Sequence, residues 1–392
     1  MLKFPTPIIG GLFLNILVNI LKKATYKQIV SYIILILSFT SSVLFVNHNY
    51  SFYDRSIAEV MKTTLEDTTD ITDMHKNEDQ LFTQHIVAVL KNGEEKGKEV
   101  FITNEFSSSG AYDQEYHVGD EVFVSNVSST IENEELTGNI TDVKRDKHVL
   151  LIAWIFIFTL LIVGKRQGLF SILSLAINVF LLSFALDVYI KHPNVSLLLI
   201  CGAMVLLFTV ISMLFVNGFN EKTYAAIAAT IAGTFASLLI AYFVIWATSE
   251  NGLRYEEMQF LTRPYKMIFM AGLLIGSLGA VMDVAITMSS SIFALYDQNN
   301  KISAKELKAS GIDIGKDIMG TITNILFFAY ISGSIPILIL YLKNASPLGF
   351  TLSMNLSLEL ARALVGGIGI VLTIPIGLYT SIFFVNRKRA KL

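Results

Sequence analysis

The chain has 392 residues, of which 53% are hydrophobic and 16% are charged. Because soluble domains carry about 25% charged residues, this composition excludes an ordinary soluble protein and favours lipid as the solvent for much of the chain. The net charge of −2 joins an acidic segment, residues 47–147 with 21 acids and 9 bases, to a remainder with 11 acids and 21 bases.

The N-terminal part of the chain contains two apolar segments. Ile8–Leu21 is short and interrupted by Asn15 and Asn19. It is compatible with a helix at the membrane interface, and equally with an extra half-buried turn of the N-terminus. Residues 28–47 follow a cluster of lysines and end without a cleavage site, so they are predicted to remain as a signal-anchor helix.

The acidic segment, residues 48–147, is predicted to be a small mainly-β domain. Ala58–Leu65 has a helical pattern, whereas the later part alternates in β-branched residues around the hairpin signal Lys91-Asn92-Gly93. The predicted strands are Thr83–Leu90, Glu99–Thr103, Glu121–Ser125 and Gly138–Val143. About five short strands at this spacing indicate an OB-like or SH3-like barrel.

The rest of the chain is dominated by membrane-span candidates. A helix needs about 20 apolar residues to cross a bilayer core of about 30 Å. Eight segments of the whole chain are predicted spans: 28–47, 148–164, 168–190, 194–217, 223–248, 265–290, 317–342 and 362–385. The predicted fold is therefore an α-helical polytopic membrane protein of about eight transmembrane helices, with the β domain inserted after the first. Its predicted parts are 1–47, 48–147, a seven-helix membrane domain 148–386 and a basic tail 387–392.

The distribution of basic residues predicts the orientation. With the N-terminus in the cytoplasm, the cytoplasmic short loops and ends hold 15 Lys and Arg, and the outside short loops hold 5. The positive-inside rule then predicts that both termini are cytoplasmic and that residues 48–147 are extracytoplasmic.

The sharpest candidate site lies in the sixth predicted span. Asp283 stands in the middle of an apolar segment, where a charge costs about 2.5–3.5 kcal/mol on insertion scales. Small and polar residues share its helix face: Gly272, Gly276, Gly279 and Thr287. An ion-coupled or proton-coupled site is one reading, and a helix-packing face with one hydrogen-bonded acid is the other.

Two further groups of polar residues border the last two spans. At the start of the seventh, Asp313, Asp317, Gly320 and Asn324 share a face, and Asn324 is placed to meet Asp283 across the two helices. The acids there also fit a helix N-terminus, and the capping-box spacing of 303–306 predicts a helix that glycines 311 and 315 then interrupt. Arg362, three residues after Glu359, is either half of an interfacial salt bridge or an anion contact.

Motifs for several other chemistries are missing from the sequence. It has no Walker A spacing, no H-E-x-x-H and no C-x-x-C, so we predict no enzyme activity, catalytic residue, cofactor, metal site or nucleic-acid partner. The one cysteine, Cys201, lies in an apolar segment and excludes an intrachain disulfide.

Two motifs carry a resemblance to a known family. Gly276–Ser290 (GSLGAVMDVAITMSS) and Gly311–Asn324 (GIDIGKDIMGTITN) make the chain similar to the YibE/F-like family of bacterial multi-pass membrane proteins. The domain after the first span resembles that of the larger, YibE-type member. The resemblance implies a bacterial cell-membrane location and a permease-like architecture. It also implies an oligomer, either of copies of this chain or with a second, smaller family member as the partner. It supplies no functional residues.

Two hypotheses about function follow. The first is a transporter, or a subunit of one, with Asp283 as its ion- or substrate-binding acid and Thr287, Asn324, Asp317 and Arg362 as further candidates. The second is a membrane scaffold or sensor whose extracytoplasmic β domain binds an envelope ligand or a partner protein.

Overall fold

A computed structural model describes residues 26–110, 113–129, 135–192, 194–258 and 264–390. The predicted interfacial helix Ile8–Leu21 lies outside these ranges. The chain divides into two compact units, Met1–Phe158 and Thr159–Leu392. The described part is mostly helical, with one small β-barrel in the first unit.

The first unit joins a helix to a closed five-stranded barrel. Helix α1 (Tyr26–His48) runs into a short 3-10 turn, and the barrel follows. Its strands are β1 (Ser56–Thr72), β2 (Glu78–Leu90), β3 (Glu99–Ser107), β4 (Glu121–Ser129) and β5 (Leu136–Val143). Their order around the barrel is β1-β2-β3-β5-β4, and only the β3–β5 pair is parallel. The predicted small five-stranded barrel is confirmed.

Two local features close the barrel. Gly93, in the predicted hairpin turn, has φ +83°, a conformation that suits glycine. The neighbouring Asn92 amide donates hydrogen bonds to the carbonyl oxygens of Tyr50, Tyr53 and Arg55, which ties the β2–β3 turn to the chain entering β1. In β5, a Cβ on Gly138 would lie 2.5 Å from a Val124 methyl group, so only glycine permits this approach of β5 to β4.

The helical prediction for Ala58–Leu65 is wrong, because this segment lies within strand β1. Ala58 and Val60 are buried in the barrel core, and the segment pairs with β2 throughout and with β4 at its start. Long-range pairing of an alternating, threonine-rich strand therefore outweighs the helical propensity of its Glu, Met and Leu residues.

A buried charge cluster lies between the barrel and the beginning of α2. The Lys144 ammonium is 3.0 Å from carboxylate oxygens of both Glu121 and Asp146, and its side chain is only 1% exposed. Glu121 also accepts hydrogen bonds from Lys147 at 2.7 Å and from the Tyr50 hydroxyl at 2.6 Å. Because each buried charge has an opposite charge beside it, the cluster satisfies the condition under which ions are tolerated in an interior.

The second unit is a bundle of long apolar helices. They are α2 (Asp146–Lys191, which begins in the first unit), α3 (Leu197–Asn217), α4 (Glu221–Ala247), α5 (Tyr265–Gln298), α6 (Ala304–Ser332), α7 (Ile335–Lys343) and α8 (Leu348–Arg389). Helix α8 packs against α4, α5 and α6 and forms the centre of the bundle. Among the described residues, six helices are long and apolar enough to span a membrane, or seven if the bent pair α6–α7 counts as one span.

Helix α2 reverses direction at Lys165. This residue has φ 48° and ψ −120°, which no α-helix contains. A Cβ on Gly168 would lie 2.1 Å from the carbonyl oxygen of Leu160, eight residues earlier. In a continuous helix these two residues would be about 12 Å apart along the axis, so the segment is a tight hairpin of two helices.

The beginning of α6 confirms one prediction and corrects another. Ser303 and Glu306 form both hydrogen bonds of the predicted capping box. Gly311 and Gly315 do not interrupt the helix, which continues to Ser332. Their missing side chains instead admit Leu378 and Ile374 of α8, whose atoms lie 2.4 and 2.3 Å from where the Cβ atoms would be. These glycines serve close helix packing.

Candidate functional site

Asp283 lies near the middle of the 34-residue helix α5, and its side chain is exposed on the surface of the second unit. Across the described ranges of the chain, no hydrogen bond or ion pair reaches its carboxylate. Its helical neighbours Val281, Val284 and Ala285 are fully buried. The acid therefore stands alone on the one face of α5 that the bundle does not cover.

The predicted small-residue face of α5 is open along part of its length. A Cβ on Gly279, one turn before Asp283, would meet no atom within 4 Å. One turn earlier, a Cβ on Gly276 would lie 2.1 Å from the Tyr330 hydroxyl of α6, so the tyrosine covers this position. A Cβ on Gly272 would be 3.9 Å from the Arg362 guanidinium. The face is thus covered at one end and open from Gly279 to Asp283.

At the covered end, α8 contributes the ion pair that the sequence suggested. Arg362 and Glu359 pair across three residues, and each side chain is 21% exposed. The Arg362 guanidinium also lies 5.5 Å from the centre of the Phe269 ring of α5, where a cation–π contact forms. Arg362 is therefore engaged within the protein, as in the salt-bridge alternative.

The polar face predicted for α6 is exposed and turned away from the packing with α8. Asp317, Gly320 and Asn324 are all exposed, and neither Asp317 nor Asn324 has a hydrogen bond within the part of the chain that the structure describes. Thr287 on α5 is half-buried. The structure therefore places Asp283 and Asn324 on exposed faces of two helices without a bond between them.

The helix that carries Asn324 is followed by a break. Helix α6 ends at Ser332 and α7 begins at Ile335, with a bend of 51° between the two axes. Ser334, at the break, is 7% exposed. Interrupted spans expose backbone groups at membrane depth, a feature of transporter binding sites.

A polar seam that was not predicted from the sequence lies between α4, α5 and α8. The Ser381 hydroxyl lies 3.0 Å from that of Ser289, and both side chains are fully buried. A Cβ on Gly233 would lie 2.1 Å from the Thr373 hydroxyl oxygen, which shows how closely α4 and α8 approach. The signal was available as serine, threonine and glycine repeated every three or four residues in 230–237 and 366–381.

The arrangement offers one chemical capability. A lone carboxylate on an open helix face can bind a cation or accept a proton. A bound metal would need more ligands, and within the described residues no group of three or more His, Cys, Asp or Glu side chains is placed to hold one.

Comparisons with known proteins agree with the two-unit organisation. The family model described as YibE/F-like protein matches residues 152–387, and the model described as the YibE/F family N-terminal domain matches residues 51–143. Comparison with curated proteins and with solved structures gave no significant match.

Proposed function

The chain belongs to the YibE/F-like family, and on that premise we propose that it is a permease, or a subunit of one, in the bacterial cell membrane. Asp283 is its ion- or proton-coupling residue, and the protein is not an enzyme. The observation that carries the proposal is the acid in the middle of α5, which has no hydrogen-bond or ion-pair partner among the described residues and lies beside the open position Gly279. A carboxylate facing lipid would be costly, so the face is water-filled or meets a bound ion.

The proposed topology has eight spans. It counts α1, the two arms of the α2 hairpin, α3, α4, α5, the bent pair α6–α7 and α8. The hairpin at Lys165 supports two spans within α2. Each arm is about 20 residues long, and a helix of that length covers the bilayer core of about 30 Å. Positive loop charges support cytoplasmic termini and an extracytoplasmic barrel.

The experiment that tests the function is ion flux into proteoliposomes. Currents on a solid-supported membrane after jumps of H⁺, Na⁺ or K⁺ concentration would be recorded for the wild-type protein and for Asp283→Asn. The proposal expects the wild-type current for one of these cations to fall at least tenfold in the variant. Asp187→Asn is the control, because Asp187 is exposed at a helix end and pairs with Lys191 at 2.7 Å. An unchanged current in Asp283→Asn, with intact folding, contradicts the role of the acid.

A scaffold or sensor role is the second candidate, and one observation favours it. Among the residues that the structure describes, strand β1 pairs with β4 only at residues 56–59, so from Lys62 to Thr72 its outer edge has no strand partner there. Open strand edges accept an added strand from another protein. Removing the matched barrel region 51–143 separates the candidates: retained flux supports the permease, whereas lost partner recruitment and no flux in either form support the scaffold.

Oligomerisation is part of the proposal. A second copy, or a smaller member of the same family, would border the Gly279–Asp283 face and enclose it as a water-accessible cavity between subunits. Glycine-lined faces allow close helix approach in membranes. Cross-linking from this face in native membranes tests the arrangement, since a covered face gives a single dimeric product and an open one gives none.

A further inference from the structure

A groove of about 240 Å³ runs between α6 and α8. Its walls are mainly apolar, and two lysines of α6 border it. The lining includes Lys308, Ile312, Lys316, Met319, Ile374 and Tyr379. The groove lies wholly within the second unit.

The shape of the groove follows from helix packing. Gly315 brings α6 against Ile374 of α8, and this contact forms the floor. One residue further, Pro375 has no backbone N–H to donate to the carbonyl of Val371, one turn earlier, and both residues line the groove. Proline locally disrupts the hydrogen bonding of a helix, so the groove follows from the backbone of α8 itself.

The two lysines give the groove one positively charged side. They are eight residues apart on α6, which places them about 12 Å apart along the helix and about 80° apart around its axis, and both line the groove. The Lys308 ammonium lies 5.2 Å from the centre of the Tyr379 ring. Lys316 pairs with Asp313 at 3.3 Å, and both of these side chains are more than two-thirds exposed, so the pair is weak.

We propose that this groove binds one anionic phospholipid, with its phosphate at Lys308 and Lys316 and an acyl chain along the apolar wall. Charge complementarity favours this ligand. A neutral lipid would leave the two lysines without an anionic partner, and a soluble anion would leave the apolar wall uncovered. The inference rests on the proposed topology, which puts the N-terminal half of α6 at the cytoplasmic interface. Bases at the end of α8 are engaged elsewhere: Lys388 pairs with Asp297 at 3.0 Å, and Arg389 donates to the Ile302 carbonyl at 2.7 Å.

The test is native mass spectrometry of the full chain in detergent, titrated with phosphatidylglycerol and with phosphatidylcholine. The variant carries Lys308→Gln and Lys316→Gln together. Each lysine near a lipid surface contributes about fivefold in affinity, so phosphatidylglycerol binding should weaken roughly 25-fold while phosphatidylcholine binding stays unchanged. The matched control carries Lys301→Gln and Lys305→Gln, two exposed lysines near the same end of α6 and outside the groove. Equal loss in control and variant, or no loss in the variant, overturns the proposal.

Two further arms test the ligand class. Asp313→Asn releases Lys316 from its ion pair and should tighten phosphatidylglycerol binding about twofold, because one competing charge is gone. Glycerophosphoglycerol, the headgroup without acyl chains, should fail to displace the lipid. Displacement by the headgroup at similar concentration would identify a soluble-anion site and overturn the proposal. These results are independent of the ion current of Asp283→Asn, so the two proposals can fail separately.

Discussion

The hydroxyl oxygen of Tyr330 on α6 lies 2.1 Å from the position that a Cβ atom on Gly276 of α5 would occupy. The contact fixes α6 against α5 at the covered end of the Asp283 face. Only a residue without a side chain leaves room for this tyrosine.

Gly276→Ala should therefore displace the end of the Tyr330 side chain. Because the end of the tyrosine ring can move aside, we expect the free energy of unfolding to fall by about 1 kcal/mol, the low end of the range for overpacking. Thermal unfolding of the purified protein in detergent measures it. Combining the change with Tyr330→Phe should recover part of the loss. Gly279→Ala is the control and should be neutral, since no atom lies within 4 Å of that position; equal destabilisation by the two alanines would contradict the described contact.

Gly233→Ala should be more damaging than Gly276→Ala. The new Cβ would lie 2.1 Å from the Thr373 hydroxyl oxygen and 3.2 Å from the Thr373 Cβ. A short β-branched side chain on a packed helix has no free end that can move, so α4 and α8 must separate, at about 3 kcal/mol. The same unfolding measurement applies. Adding Thr373→Ser or Thr373→Ala should not fully restore stability, because the Cβ contact persists; a neutral Gly233→Ala would refute the α4–α8 packing.

The first unit should lose stability in acid through Glu121. Burial alone would raise the pKa of Glu121, but hydrogen bonds from Lys147, Tyr50 and Lys144 outweigh it and hold the pKa below the ordinary value of 4.5. A carboxyl with a lowered folded pKa contributes stability above its unfolded pKa and loses it as pH falls through the folded pKa. Stability should therefore fall as the pH drops below the ordinary value of 4.5 and through the lowered folded pKa.

Fluorescence of Trp154 during urea unfolding, in a Trp246→Phe background, measures this effect, because the Trp154 indole donates to Ser42 within the first unit. Glu121→Gln should cost about 3 kcal/mol at neutral pH by leaving Lys144 with one carboxylate, and should flatten the acid dependence. Glu105→Gln is the matched control at an exposed position. A variant that keeps the full wild-type acid dependence would show that Glu121 does not titrate with folding.

The sequence predicts the helices and the barrel from different signals, and both have limits. Apolar length identifies the spans, and the break between 148–164 and 168–190 is visible because Lys165 and Arg166 interrupt the apolar segment. Apolar length does not reveal that Gly311 and Gly315 serve helix packing, because the atoms that pack against them come from α8, more than 50 residues later. The helical prediction at the start of β1 is wrong for the same reason, because the pairing of β1 with β4 and β2 is non-local.

The candidate site shows the same division. Asp283 stands out in the sequence because an acid within an apolar segment is rare. The sequence does not tell which face of α5 is covered, since that depends on where Tyr330 and Arg362 of other helices lie. The proposed meeting of Asp283 and Asn324 assumed that two polar faces turn towards each other, whereas α6 uses its glycine face against α8 and leaves Asn324 exposed.

Thiol labelling at Gly279 tests most directly whether the face beside Asp283 is open to water. Cys201 is the one cysteine of the chain, so Cys201→Ser gives a cysteine-free background into which Gly279→Cys is introduced with Asp283 intact. Leu239→Cys, at a 68% exposed apolar position of α4, is the lipid-facing control. In proteoliposomes, we expect a charged, membrane-impermeant methanethiosulfonate to modify Gly279→Cys and not Leu239→Cys. Failure of the charged reagent at Gly279→Cys, while a permeant maleimide reacts there, would contradict a water-accessible acid site.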